Sequence, residues 1–277
     1  MFLESVAVLA NQRLAPRYHL LTLESPNIAA HAAAGRFVSL RCRPSYDPLL
    51  RRPMGIYRVL PDPRGRRSAF QVVVQELGRG TQALVSARAG ERLSCAGPLG
   101  NAFTLPREIE PASAEADRPA LQALLIAGGI GISPFHLWAE ELLRRGVAAE
   151  LLYGGRSAAD LVCLEHFRAL GFPVAPATED GSLGYRGRVT ELLERRLADR
   201  SKGAAVLYAC GPEAMLARVQ QIAGAAGVRA QLCLDRMMCC AAGVCLSCVV
   251  GVRDGERLRY RRVCTEGPVF EAEGLEL

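Results

Sequence analysis

Residues 124–146 read LLIAGGIGISPFHLWAEELLRRG, and this stretch decides how the chain folds. A short apolar run enters a glycine turn at residues 128–131, and an amphipathic segment follows it. Ser133 is predicted as the helix N-cap, Pro134 as the first helical position, and Gly146 lies just beyond two arginines in the last turn. The pattern predicts a strand, a tight turn and a helix, which together form the repeating unit of a parallel α/β sheet.

The chain downstream continues this alternation. Strand-like runs lie at residues 150–153, 172–177 and 206–210 and after Val228, and helical stretches lie at residues 160–170, 190–197 and 212–223. We therefore assign residues 120–230 to a doubly wound parallel α/β domain.

The chain before this domain has a different sequence pattern. Short β-prone runs bounded by Pro and Gly occur at residues 4–9, 18–23, 37–41 and 70–75. They predict a small antiparallel β-barrel over residues 1–104. Residues 105–119 are polar and rich in Pro and Ala without apolar periodicity, so they are predicted to be a linker.

Composition excludes several classes of protein. The 277 residues allow two or three domains, and 22% charged with 50% hydrophobic residues disfavours disorder. A net charge of +6 with only 8 Phe, 7 Tyr and 1 Trp gives little support for nucleic-acid binding. Residues 120–139 are too polar, and residues 237–252 too short, for a membrane span. Because no secretory signal is present, we expect a cytoplasmic protein.

Cysteine is the outlier in the composition, since six of the ten cysteines lie in residues 233–264. The spacing is Cys240-x4-Cys245-x2-Cys248, with Cys264 after 15 intervening residues. This is the plant-type spacing for a [2Fe-2S] cluster. The alternative is a structural zinc site with four cysteine ligands, but such sites usually contain two C-x2-C pairs, and this segment has one.

The remaining thiols and imidazoles predict no second centre. Cys239 offers only a shifted C-x5-C register, and Cys233 is predicted to be a packed strand residue. Four histidines form no cluster in the sequence and are predicted to be surface or helix residues: His19, His31, His136 and His166. No general acid or base constellation is therefore predicted, and we expect substrate chemistry to lie on a partner.

Three further motifs suit anions or flat rings. The turn at residues 128–131 directs backbone N–H groups at an anion such as a pyrophosphate, or is simply a tight turn. Cys210 precedes a second strand-to-helix turn, where its thiol either packs beside a reacting ring or is buried in the core. Arg51 and Arg52 precede an extended proline and suit a diphosphate. Two more glycine turns lie at residues 78–81 and 97–103.

Taken in order, these motifs resemble the ferredoxin reductase superfamily and, more closely, the electron-transfer subunits of bacterial class 1B dihydroorotate dehydrogenases. The resemblance covers nearly the whole chain and rests on Arg52-Pro-Met-Gly-Ile, Gly80-Thr81, Gly97-Pro-Leu-Gly-Asn, Gly128-Gly-Ile-Gly-Ile-Ser-Pro, Cys210-Gly-Pro-Glu-Ala-Met, the cysteine spacing and Val263-Cys-Thr-Glu-Gly-Pro-Val-Phe270. It implies an FAD-binding barrel at residues 1–104, a nicotinamide dinucleotide domain at 120–230 and a [2Fe-2S] domain at 231–277.

The resemblance also implies the site residues by position. FAD is expected to meet Arg52, Pro53, Met54, Gly55, Val73, Val74, Gln75, Gly80 and Thr81. The nicotinamide dinucleotide, NAD rather than NADP, is expected to meet Gly128, Gly129, Ile130, Gly131 and Ser133. Cys210 is expected near the reacting rings, and the cluster is expected on Cys240, Cys245, Cys248 and Cys264. Relatives commonly carry Ser where this chain has Gly55, so a hydroxyl beside the flavin is missing.

The function implied by the resemblance is to split electron pairs into single electrons. A nicotinamide exchanges a hydride and a cluster exchanges single electrons, so a flavin has to stand between them. A catalytic FMN subunit would oxidise dihydroorotate to orotate in pyrimidine biosynthesis. Electrons would pass through [2Fe-2S] and FAD to NAD+, within a heterotetramer of two catalytic and two electron-transfer subunits. The alternatives are the NAD(P)H-oxidising subunit of a sulfhydrogenase or ferredoxin:NADP oxidoreductase complex, and a non-enzymatic redox-sensing metal module.

Overall fold

The computed structural model describes residues 1–106, 122–199 and 205–277. They form a closed antiparallel barrel of six strands, a seven-stranded sheet that is mostly parallel, and a small three-stranded sheet. The predicted fold class is therefore confirmed. The predicted linker at residues 105–119 lies outside the described residues except for its first two positions.

The barrel is built from the first six strands in the order β1-β2-β5-β4-β3-β6. Its elements are β1 (Phe2–Ala15), β2 (Tyr18–Glu24), α1 (Pro26–Ala30), β3 (Phe37–Leu40), β4 (Arg52–Pro61), β5 (Arg67–Gln75), α2 (Arg79–Val85) and β6 (Arg92–Leu99). Along β6, exposed or partly exposed residues alternate with buried ones. This period of two is expected of a strand with one face on the barrel core.

The second sheet has the order β10-β9-β8-β7-β11-β12-β15. Its elements up to β12 are β7 (Gln122–Gly128), α3 (Phe135–Arg144), β8 (Ala149–Gly155), α4 (Leu164–Ala169), β9 (Val174–Thr178), β10 (Tyr185–Arg186), α5 (Val189–Ala198), β11 (Ala205–Cys210), α6 (Glu213–Ala226) and β12 (Arg229–Cys233). The central β7 is apolar and buried from Ala123 to its end, as expected for a strand covered on both faces. Because β8 and β11 flank β7 on opposite sides, a crevice forms beyond its carboxyl end.

The helix after β7 begins differently from the sequence prediction. Gly129–Ile132 forms a 3-10 turn, and α3 starts only at Phe135. Ser133 is itself helical (φ −51°, ψ −45°), and its hydroxyl donates a hydrogen bond of 2.9 Å to the Ile130 carbonyl. The prediction of Ser133 as N-cap is therefore wrong, because its hydroxyl is held by the preceding turn. Pro134, predicted as the first helical position, is the N-cap. Helix α3 ends at Arg144 with Arg145 as its C-cap, within one residue of the predicted end.

The C-terminal segment joins two sheets. β13 (Val249–Asp254), β14 (Arg257–Arg262) and β16 (Leu275–Glu276) form the three-stranded sheet in the order β14-β13-β16. β15 (Val269–Glu271) instead pairs antiparallel with β12 at the edge of the parallel sheet. The predicted boundary between residues 230 and 231 falls inside β12. Among the described residues, no helix is long and apolar enough to cross a membrane.

Candidate functional site

A cleft of about 810 Å³ lies between the barrel and the parallel sheet. The barrel contributes Arg17, Tyr18 and Gln75 to its lining, and the sheet contributes the residues at the carboxyl ends of β7 and β8 and the turn after β11. The cleft thus occupies the crevice where the strand order reverses, which is the usual place for a ligand in an open α/β sheet.

Three glycines allow the turns after β7 and β11 to pack closely, Gly131 and Gly211 against backbone and Gly128 against the Met215 side chain. A Cβ on Gly131 would lie 2.1 Å from the Cys210 carbonyl oxygen, and one on Gly128 would lie 2.7 Å from Met215 Sδ. A Cβ on Gly211 would likewise lie 3.1 Å from the Cα of Gly128. The sequence-predicted glycine turn and the Cys210 turn are therefore brought together at one edge of the cleft.

Tyr18 connects the barrel to the parallel sheet, and sequence reasoning missed it. Its hydroxyl donates to Asp160 Oδ1 at 3.2 Å and accepts from Gln75 Nε2 at 2.9 Å. Burial, followed by the charge of Asp160, raises the pKa of Tyr18 to about 12, so the phenol stays protonated. The only signal in the sequence is an aromatic residue at the start of a β-prone run.

The cleft is lined by equal numbers of basic and acidic side chains. The four arginines are Arg17, Arg156, Arg188 and Arg218, and the four acidic residues are Asp160, Glu179, Glu191 and Glu194. Arg218 is paired with Glu194, whereas no described acidic group lies within ion-pair distance of Arg17 or Arg156. These guanidinium groups suit the phosphates of a dinucleotide.

Cys210 ends β11 directly beside Cys233, which ends β12 in the same register. Both side chains are buried. A thiol hydrogen bond with Cys233, together with burial, raises the pKa of Cys210 well above its ordinary value. The Cys210 thiol is therefore uncharged at neutral pH. The prediction that Cys233 is a packed strand residue is confirmed.

Arg52 and Arg51 have different surroundings. The Arg52 guanidinium lies against Gly80, where an added Cβ would come 2.5 Å from Nε and would push this flexible side chain aside. The Thr81 hydroxyl oxygen stabilises this turn by accepting hydrogen bonds from the backbone N–H groups of Leu77 at 2.8 Å and Gly78 at 3.1 Å. Arg51 instead donates to the Ser39 and Ser94 carbonyls and to the Ser94 hydroxyl. Of the two arginines, Arg52 therefore suits a diphosphate, and Arg51 holds strands together.

Pro53, Met54 and Gly55 follow in β4, paired with β3 and partly exposed. A Cβ on Gly55 would lie 2.9 Å from the Cβ of Ser133. Gly55 therefore packs directly against Ser133 of the parallel-sheet domain, and a side chain at residue 55 would have to displace it.

Val73, Val74 and Gln75 end β5. Val73 and Val74 are buried in the barrel core and pair with β2. Gln75 is partly exposed and lines the cleft beside Tyr18. Of the three, Gln75 alone presents a polar side chain to the site.

Two of the histidines do meet, contrary to the sequence prediction. The rings of His136 and His166 lie 6.1 Å apart, and Tyr57 contacts both, with its hydroxyl 2.9 Å from His166 Nδ1. They converge because α3 and α4 pack side by side, with β4 against α3. Burial, with Arg58 nearby, lowers the pKa of His136 to about 3, so its ring is neutral and serves packing.

The four predicted cluster ligands lie in two pairs. The thiols of Cys240 and Cys245 interact, as do those of Cys248 and Cys264. Hydrogen bonds from Ser247 lower the pKa of Cys245 to about 6, and burial raises that of Cys264 to about 11. In the described ranges, no three Cys, His, Asp or Glu side chains converge on a point suited to one metal ion. A [2Fe-2S] cluster takes four cysteine thiolates shared between two irons, and the pairing of these cysteines fits that arrangement.

The backbone of the cysteine loop also turns toward the sulfurs. Ala241, Gly243 and Leu246 adopt left-handed conformations, with φ of 53°, 78° and 58°. The Ala242 N–H points to Cys240 Sγ at 3.3 Å, and the Gly243 N–H donates to the Cys264 sulfur. Such N–H groups stabilise the negative charge of an iron-sulfur centre, so the donor set fits a [2Fe-2S] cluster.

Comparison with known sequences identifies two families within the chain. Residues 235–276 match the family described as the iron-sulfur cluster binding domain of dihydroorotate dehydrogenase B, and residues 125–221 match the oxidoreductase NAD-binding domain. These matches cover the cysteine loop and most of the parallel sheet.

Whole-chain relatives agree with these matches. The dihydroorotate dehydrogenase B (NAD(+)) electron transfer subunit of Desulforamulus reducens is 34% identical over 95% of this chain and 94% of that protein. The subunit of the same name from Bacillus caldolyticus is 34% identical over 97% of this chain and 96% of that protein. A solved structure of an NADH-dependent reduced ferredoxin-NADP oxidoreductase shares the fold, with a TM-score of 0.79 at 23% identity, over 98% of this chain and 89% of that one. The chain belongs to the family of dihydroorotate dehydrogenase B electron transfer subunits.

Proposed function

We propose that this chain carries electrons from a dihydroorotate-oxidising flavoprotein to NAD+. The observation that carries the proposal is the pairing of the four cysteines on a chain that is 34% identical, over 95% of its length, to subunits named for this role. Oxidation of dihydroorotate to orotate releases two electrons and two protons. NAD+ takes up both electrons with one proton, and the second proton goes to solvent.

The barrel residues fit FAD. Arg52 holds a guanidinium over Gly80 at a glycine turn, which suits the flavin diphosphate. Pro53 and Met54 are partly exposed in β4, so this strand has surface available for a flat ring. When bound, FAD exchanges a hydride with nicotinamide and single electrons with the cluster.

The cleft residues fit NAD. The 3-10 turn Gly129–Ile132 offers backbone N–H groups to the pyrophosphate, and Arg17 and Arg156 add positive charge at the mouth. Tyr18 closes the barrel side of the cleft with a protonated phenol. Cys210, at the end of β11, would stay a neutral thiol and so would add no charge that resists hydride transfer at a nicotinamide bound in the cleft.

The cysteine loop reaches from the surface into the interior. Cys245 is exposed, and its neighbours Val244 and Leu246 are 82% and 59% exposed. Cys248 and Cys264 are only 2% and 1% exposed. A cluster on these residues would therefore receive electrons on its outer side and pass them inward from the Cys248 and Cys264 side.

The partner on the outer side is, in this proposal, a catalytic FMN subunit in a heterotetramer of two catalytic and two electron-transfer subunits. The names of the relatives support a catalytic partner, and the exposed apolar residues beside Cys245 support a contact there. All ten cysteines are free of disulfides, which supports a reducing compartment such as the cytoplasm.

The test uses the tagged chain purified anaerobically from its own host with whatever stays bound. Dihydroorotate is added, and the reduction of NAD+ is followed by the absorbance of NADH. We expect Cys245→Ser to abolish this reaction and the electron paramagnetic resonance signal of the reduced cluster. The neighbouring Cys239→Ser, outside the four-cysteine spacing, should retain both.

Two results would contradict the proposal. One is zinc bound without acid-labile sulfide, which would make the loop a structural metal site. The other is NADH-driven bleaching of flavin and cluster with no response to dihydroorotate, which would assign the chain to a different catalytic partner.

A further inference from the structure

Asn101 lies in the loop after β6, outside the predicted cofactor residues, and one distant segment satisfies its hydrogen bonds. Its Nδ2 donates to the carbonyl oxygens of Glu266 at 3.1 Å and Val269 at 2.8 Å, and its Oδ1 accepts the Val269 N–H at 2.9 Å. Its own N–H donates to the Gly267 carbonyl at 2.7 Å. The amide orientation is fixed because its donors face carbonyls and its acceptor faces an N–H group.

The same two segments are also in close backbone contact. A Cβ on Gly100 would lie 2.5 Å from Pro268 Cδ and 2.7 Å from the Gly267 carbonyl oxygen. A Cβ on Gly35 would lie 2.8 Å from Val269 Cγ2. Since close-packed backbones cannot slide past each other, the loop and residues 266–269 hold a single relative position.

This contact connects the two redox sites. On the barrel side, Phe37 of β3 pairs both with Gly55, in the predicted flavin strand, and with Leu99, two residues before Asn101. On the other side, the bonded segment starts two residues after Cys264. The carboxylate of Glu266 is further held by the side chain and the N–H of Arg262, each at 2.9 Å.

We infer that Asn101 is a positioning residue that fixes the separation between the flavin strand β4 and the Cys264 side of the cluster site. The inference rests on the proposed function. The rate of electron transfer between two centres falls steeply as they move apart, whereas hydride transfer depends on contacts inside the cleft. Asn101 should therefore govern the step from flavin to cluster and leave the step from NADH to flavin unchanged.

The test compares Asn101→Asp with Asn11→Asp in the holoprotein. Asn11 is a matched control, because its Nδ2 also donates to two backbone carbonyls, those of Val85 and Ala87, each at 2.8 Å. Both substitutions keep the side-chain shape and replace the donors with a carboxylate oxygen facing two carbonyl oxygens. Of these two asparagines, Asn101 alone bonds to the segment after Cys264.

The protein is mixed with NADH in an anaerobic stopped-flow instrument, and two phases are followed. The first is the bleaching of flavin, and the second is the reduction of the cluster. Asn101→Asp should slow cluster reduction severalfold, because electron transfer between separated centres slows steeply as the distance between them grows. Flavin bleaching should stay at the wild-type rate, and Asn11→Asp should leave both phases intact. Iron and sulfide per chain should stay constant, and amide exchange should rise at residues 266–269.

The inference is overturned if Asn101→Asp slows both phases equally or neither, or if its cluster phase matches that of Asn11→Asp. If Asn101→Asp does not fold, Asn101→Ser replaces it, and the same split between the phases is required. Failure of the proposed function is a separate result, because the wild-type protein would then transfer no electrons from NADH to the cluster.

Discussion

Substituting Gly131 by alanine should force apart the two turns that form the inner edge of the cleft. The added methyl carbon would lie 2.1 Å from the Cys210 carbonyl oxygen and 2.5 Å from its carbon. Protein Cβ atoms do not approach closer than 3.0 Å, so the backbone must separate by 0.9 Å or more. Both partners are backbone at this point, so no rotamer change relieves the clash. Overpacking of this kind costs about 1–3 kcal/mol.

The displacement moves the turn that we expect to hold the NAD pyrophosphate. A shift of about 1 Å can lower a positioned reaction roughly a hundredfold, so NADH-driven bleaching of flavin in a single turnover should slow on that scale. Gly224→Ala is the matched control, because Gly224 lies in α6 with no atom within 4 Å of the added methyl group. The free energy of unfolding of that variant should rise by about 0.5–1 kcal/mol, because alanine is favoured over glycine inside a helix. Wild-type bleaching and an unchanged thermal midpoint in Gly131→Ala would refute the reasoning.

Three further substitutions test separate parts of the site. Arg52→Ala should weaken FAD binding about 10- to 100-fold, from the loss of a charged hydrogen bond of about 1.5–3 kcal/mol, as measured by FAD fluorescence on release. Arg66→Ala, at a 71% exposed side chain, should leave FAD affinity unchanged. Tyr18→Phe removes the bond to Asp160 and should raise the KM for NADH about 2- to 10-fold with little change in kcat; a fall in kcat alone would contradict this. His136 has a pKa lowered from 6.5 to about 3, so between these values the unfolded state binds a proton that the folded state does not. Stability should fall on acidification below pH 6.5 by up to about 1.4 kcal/mol per pH unit, and His136→Phe should flatten that fall in urea midpoints at pH 7 and pH 5.

Local pattern was enough to predict the fold class and the family. The apolar run, glycine turn and amphipathic segment at residues 124–146 are contiguous, so periodicity alone indicates strand, turn and helix. The cysteine spacing is likewise local for Cys240, Cys245 and Cys248. Cys264 lies farther along the chain, and the fold brings its thiol to that of Cys248. The start of α3 was missed because the Ser133 hydroxyl donates to a carbonyl only three residues earlier, a choice that composition does not reveal.

The contacts that sequence reasoning missed join residues far apart in the chain. Tyr18 meets Asp160 across 142 positions, and Asn101 meets Val269 across 168. The histidine pair forms because two helices and a barrel strand converge. None of these residues has an unusual neighbourhood in sequence, and only the closed barrel and the sheet topology bring them together. The roles carried over by resemblance for the FAD and NAD residues stay predictions.

The antiparallel strand β15 limits how this protein can be divided or recombined. It supplies hydrogen-bonding partners to one side of β12, and Leu234 also donates to the Pro268 carbonyl at 2.9 Å. A version cut after β12 would expose a bare strand edge, which invites pairing with other chains and aggregation. Grafting this iron-sulfur module onto another reductase would therefore require transplanting the edge of the host sheet with it.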